Sequence, residues 1–170
     1  TPQDAIWAHN MIGCAEKKTG VCEAYTKTYQ YLCRLNGLDC IVVTGFNGEN
    51  HAWNMVKLDG SWYGVDCTFD ETNKDAVSYN CFGMDGDRMN SEYSADQPSN
   101  SGVGYLYTLP KLAERGIELV DLYKNGKKIG TYANVDAAFK AMTDASADYE
   151  VRLFNYDRRG ALLLSSGAVE

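Results

Sequence analysis

The sequence has no apolar run long enough to cross a membrane as a helix, no CxxC pair and no excess of positive charge, and each absence removes a class of function. A spanning helix takes about 20 consecutive apolar residues, so no membrane-spanning segment is expected; no secretory signal peptide is recognisable either. Structural zinc sites are built on closely paired cysteines. The six cysteines here, at 14, 22, 33, 40, 67 and 81, lack that pairing, so no metal and no cofactor is expected. With 16 Lys and Arg against 23 Asp and Glu the net charge is −7, the wrong sign for a nucleic-acid surface, which needs clustered cations to meet phosphates. The acidity is uneven: 9 basic and 15 acidic residues lie at or before residue 116, against 7 and 8 beyond it. It reads as solubility rather than as a site for cationic substrates. Histidine is scarce too, with only His9 and His51 present. His9 falls in a short helix expected over residues 2–12 and reads as a solvent-facing flank residue.

What the chain does hold is a cysteine, a histidine and an aspartate, each in a setting that suits one part in nucleophilic chemistry. Thr19-Gly20 has the makings of a helix start, Thr as a cap and Gly for the tight approach. From Cys22 the larger side chains recur at Tyr25, Tyr29 and Leu32, which is helical spacing, and Asn36-Gly37 ends the run. Cys22 is thereby placed in the first turn of a helix of about fifteen residues. Free backbone N–H groups and the helix dipole favour an anion there, and the thiolate is the reactive form of the side chain. A cysteine taken alone is more often a small buried apolar residue; His51 and Asp66 weigh against that reading here.

Residues His51 to Leu58 and Ser61 to Thr68 flank Asp59-Gly60, a strong signal for a two-residue hairpin turn. With those two residues as the loop, paired positions sum to 119, so Trp53 lies opposite Asp66 and His51 opposite Thr68. His51 and Asp66 then share one face as diagonal neighbours, Cβ atoms roughly 7 Å apart. A slip of one residue would put them on opposite faces. Aspartate is uncommon inside a strand, and a buried carboxylate without a partner is costly. His51 is the obvious partner.

The segments GVCEAY, HAWN, LDGSWYGVD and CTFD resemble the transglutaminase-like superfamily, a branch of the papain-like cysteine enzymes. The matching stretch runs from Thr19 to Glu71, nearly a third of the chain. The resemblance implies an α+β fold with a papain-like core, in which a Cys-bearing helix packs on an antiparallel sheet carrying the His and the Asp. It implies that Cys22 is the nucleophile, His51 the general base and acid, and Asp66 the residue that orients the imidazole. The activity implied is acyl transfer through a thioester on a peptide or protein substrate, with hydrolysis of peptide or amide bonds as the leading reading. Two alternatives stay open: a protein-glutamine gamma-glutamyltransferase that crosslinks glutamine to lysine, and a surface or binding module whose triad is idle. Bacterial members often read Gly-Tyr-Ala after the Cys-Glu pair, where this chain has Ala24-Tyr25-Thr26, and commonly carry Trp at the position of Phe69. Both differences bear on substrate fit and spare the triad. The backbone N–H of Cys22, opening the helix, is a natural oxyanion donor.

Around this centre the chain divides in two: a catalytic domain over 1–112 and a small domain over 117–170. Ile41 to Phe46 is expected as the first strand beside the hairpin, and Tyr105 to Leu109 as the last of the catalytic domain. The stretch from Glu71 to Gly104, rich in Asn, Asp, Ser and Gly, reads as a long loop that walls a cleft or covers the sheet. The tail reads as a ββαββ unit: strands over Ile117 to Tyr123 and Lys128 to Tyr132 around Asn125-Gly126, a helix marked by Val135, Ala138, Phe139 and Met142, and strands over Tyr149 to Tyr156 and Ala161 to Ser165. Its expected core is Leu119, Leu122, Phe139, Met142, Val151, Leu153 and Leu163. Reduced thiols account for the five other cysteines as well as a partial disulfide set does. The chain opens on Thr1 rather than Met, so a processed or a trimmed chain is the expectation. An extracellular or cell-surface location is the expectation, with the cytoplasm as the alternative.

Overall fold

The computed structural model describes residues 4–70, 78–96, 108–154 and 164–165. The chain separates into two compact units, Thr1–Gly116 and Ile117–Glu170, each with its own sheet. The whole is a mixed α+β structure with antiparallel sheets.

Unit 1 is organised around the hairpin. Strands β1 (Cys40–Phe46), β2 (Asn50–Leu58), β3 (Ser61–Val65), β4 (Phe82–Met84) and β5 (Ser94–Ala95) form one sheet in the order β4-β3-β2-β1-β5. Asp59 and Gly60 both take positive φ, 48° and 84°, the conformation a tight hairpin turn demands. The β2–β3 register follows from that turn, with Leu58 opposite Ser61 and Asn54 opposite Val65. β3 stops at Val65, earlier than the residue pattern suggests. Asp66 leaves the ladder, and residues Cys67–Asp70 wind into a one-turn helix, α2.

β2 is the central strand and is buried from His51 to Val56, because both of its faces are covered. On the face of His51, Trp53 and Met55, a core forms with Val43, Met84, Met89 and Tyr93. On the other face Val56 and Val65 pack with Cys33 and Cys40 beneath helix α1 (Cys22–Leu35). The buried positions of α1 are Ala24, Thr26 and Cys33 rather than Leu32, which is about half exposed. Small side chains let the helix axis approach the sheet closely, and Asn54 locks the contact. Fully buried, its Nδ2 donates to the carbonyls of Thr26 (3.1 Å) on α1 and Ile41 (3.2 Å) on β1.

Two further expectations are corrected, and a third lies largely outside the described residues. The first helix is replaced by a 3-10 turn over Ile6–His9 and a π-type turn over Gly13–Lys17. The stretch read as one long loop contains β4, helix α3 (Gly86–Glu92) and β5; Asp85 caps α3 by accepting the Arg88 N–H. Polar residues there serve as caps and turns, and composition alone concealed the elements between them. The strand expected over Tyr105 to Leu109 falls outside the described residues, save for Thr108 and Leu109, which lie in no strand.

Unit 2 runs β6 (Leu119–Lys124), β7 (Lys127–Tyr132), α4 (Val135–Lys140), β8 (Tyr149–Phe154) and β9 (Leu164–Ser165), with sheet order β7-β6-β8-β9. Its core is Val120, Leu122 and Ala138, joined by Met142 and Val151. Leu119 is buried as well, whereas Phe139 and Leu153 are exposed. A six-residue helix presents only a narrow stripe inward, and small Ala138 occupies it. Leu163 lies outside the described residues. No described helix in either unit is long and apolar enough to cross a membrane.

Candidate active site

Cys22 is the first residue of α1. Its N-cap is Val21, which offers no capping side chain, so Thr19 does not cap the helix. The half-buried sulfur is held by three neighbours. It is hydrogen-bonded to the His51 side chain and receives the backbone N–H groups of Ala52 and Glu23. The Ala52 amide is available because β3 ends opposite Asn54, two residues short of it. These donors lower the Cys22 pKa, His51 contributing most, against the opposing effect of burial.

His51 lies on β2 opposite Gly45 and is buried. Its Nε2 sits 2.7 Å from Asp66 Oδ2, which leaves Nδ1 as the ring nitrogen for Cys22. Burial by itself would depress the imidazole pKa; hydrogen bonds to Asp66 and Cys22 outweigh it and raise the value to about 9. Phe69 lies over the ring at 4.8 Å between centroids and is itself half exposed.

Asp66 is completely buried. Its Oδ1 accepts the N–H groups of Thr68 (3.0 Å) and Phe69 (3.4 Å), which makes the carboxylate the cap of α2. Its Oδ2 takes both His51 Nε2 and the hydroxyl of Tyr93, at 3.0 Å. The aspartate that interrupts a Trp-Tyr-Val run therefore ends one strand, starts one helix and anchors one histidine. The structure thus brings Cys22, His51 and Asp66 into one chain of hydrogen bonds.

Two contributors were invisible to pattern reading. Tyr93 lies in the polar stretch after β4, far from the motifs in sequence, with its ring 5.0 Å from that of Trp53. Asn54, within the HAWN segment, fixes the helix that carries Cys22. His9, expected to face solvent, is exposed and pairs through Nδ1 with Glu23 at 3.0 Å, beside Cys22. All six cysteines are free. Beyond Trp53 and Tyr93, a cavity of ≈ 660 Å³ opens between Val43, Met55, Met89 and Leu112.

Residues 6–67 match the transglutaminase-like superfamily. The transglutaminase-like segment covers α1, β1, β2, β3 and the beginning of α2, and therefore all three residues above. The chain is also similar to human kyphoscoliosis peptidase, 34% identical over 70 residues, which is 34% of this chain and 11% of that protein. The mouse kyphoscoliosis peptidase is 36% identical over 61 residues, 28% of this chain and 9% of the relative. The chain thus spans about a tenth of the length of these relatives.

Proposed function

We propose that the transglutaminase-like unit is a cysteine-dependent acyl-transfer enzyme that hydrolyses peptide or amide bonds. The observation that carries this reading is the continuous hydrogen-bonded chain from Cys22 through His51 to the buried Asp66. A lowered thiol pKa beside a raised imidazole pKa favours a thiolate–imidazolium pair before substrate arrives. The Cys22 sulfur attacks the carbonyl carbon, and the carbonyl π electrons move onto oxygen. The Cys22 backbone N–H, at the start of α1, is placed to meet that oxyanion. As the intermediate collapses the C–N bond breaks, His51 gives its proton to the departing amine, and a thioester remains on Cys22. Neutral His51 then takes a proton from water, whose oxygen attacks the thioester and releases the acid. Asp66 keeps the Nε2 proton in place and stabilises the charged ring throughout.

A second reading replaces water with a lysine amine and yields a crosslinked product. The peptidase name of the two similar proteins favours hydrolysis. Amine incorporation measured beside cleavage on a peptide library separates the two.

Cys22 should be the first of the six thiols to react with iodoacetamide. Burial pushes Cys40, Cys67 and Cys81 up to about 12, whereas Cys22 is shifted down. Its labelling should reach a plateau below the ordinary cysteine range, about pH 8.5. Catalysis should fall as the pH rises through about 9, where the paired His51 loses its proton. Peptide mapping after brief labelling reads the first result. Another thiol modified ahead of Cys22 in folded protein would overturn the assignment.

A further inference from the structure

We infer that Tyr93 is a positioning residue that sets the strength of the Asp66–His51 couple; this rests on the acyl-transfer reading above. The Asp66 carboxylate is buried, and among the described residues four groups donate to it: two backbone N–H groups on Oδ1, and His51 with Tyr93 on Oδ2. No bulk water can replace a donor lost there, so each one has weight. The Tyr93 ring packs in the apolar core with Trp53, Met89 and Met84. A phenylalanine would serve that packing equally well. The hydroxyl is the part that core packing does not require, and it points at the oxygen that holds His51.

Burial raises the Tyr93 pKa well above the usual range, so the phenol stays protonated and donates at every working pH. Two effects follow. Donation from Tyr93 fixes the rotation of the carboxylate, so that Oδ2 faces the imidazole. It also takes up part of the charge on that oxygen, which tempers how tightly Asp66 holds a protonated His51. A base that must accept a proton in one step and release it in the next works best when neither form is over-stabilised. Tyr93 keeps the couple within that range.

The test is Tyr93→Phe in the full chain, which retains the ring. With two histidines in the sequence, the His51 ring C–H resonance is readily separated from that of His9 by proton NMR. The inference expects the His51 titration midpoint to move upward from about 9 by roughly half a unit or more. The midpoint of Cys22 labelling should move to lower pH, since a more strongly held imidazolium favours the thiolate. On a turned-over substrate kcat should fall about tenfold with KM little changed. A structural role alone would lower thermal stability and leave both midpoints unmoved, and that result would overturn the inference. The two midpoints need no substrate. Loss of turnover in Cys22→Ala together with unmoved midpoints in Tyr93→Phe would sink the role of Tyr93 and spare the acyl-transfer reading. Full activity in Cys22→Ala would sink that reading itself.

Discussion

Cys22→Ala and His51→Ala should each reduce turnover to near background, and the double variant should be little worse than either. Under the acyl-transfer reading, the first removes the atom that bonds to the acyl group. The second removes the group that holds the thiolate, protonates the leaving amine and activates water. Residues acting as one unit give non-additive losses, because once the unit is broken the remaining member has nothing to work on. Steady-state rates for the two single variants and the double, on any peptide the wild type cleaves, test this. A double variant far below both singles would show the two side chains acting independently. Far-ultraviolet circular dichroism accompanies the rates, since His51 is buried in the central strand.

Asp66→Asn should cost about 10²-fold to 10³-fold in kcat, less than the roughly 10⁴-fold that the corresponding change costs a serine protease. The amide keeps an oxygen for the Thr68 and Phe69 N–H groups and so can still cap α2. Turned that way, it presents NH₂ to His51 Nε2, which drives the ring proton to Nδ1, the nitrogen facing Cys22. That tautomer cannot take a proton from the thiol. The loss is smaller than in the serine case because a thiol of lowered pKa depends less on its base. Asp66→Ala is the informative contrast. It strips the cap as well, at about 0.5–2 kcal/mol, and leaves the Tyr93 hydroxyl without this acceptor, so stability should fall together with rate. An Asp66→Asn variant of wild-type activity would mean that another group orients His51.

The hairpin was legible because its determinants are local. Asp59-Gly60 is a pair that tolerates positive φ, and from a two-residue turn the register of every paired position follows. The register from Leu58–Ser61 to Asn54–Val65 was therefore readable before any coordinate, whereas the expected pairs Trp53–Asp66 and His51–Thr68 do not form because the ladder stops at Val65. The end of β3 was not, since nothing in YGVD announces that the aspartate will cap a helix instead of extending the strand. The spacing of Tyr25, Tyr29 and Leu32 marked α1 as a helix without giving its buried face, because a helix pressed against a sheet by way of Ala24 and Thr26 buries its small residues. Tyr93 was out of reach entirely. Its partner stands 27 positions earlier, and the polar stretch around it has no periodicity to carry a prediction.

One consequence concerns which positions can change. Gly45 pairs with His51 on one side and Ala95 on the other. A Cβ built there would lie 2.8 Å from the tip of the Trp53 ring and closer still to the Ser94 carbonyl, so backbone would have to move. Gly64, two residues before Asp66, is a second such point: its Cβ would meet the Met89 side chain, whose carbonyl accepts the Tyr93 N–H. Neither glycine has a functional group to contribute. Both are empty volumes into which the groups around Asp66 and His51 are fitted. In a saturation scan they should rank among the least permissive sites of the chain, beside residues with evident chemistry, and Gly45 should be the stricter of the two because the Met89 thioether can yield where a strand backbone cannot.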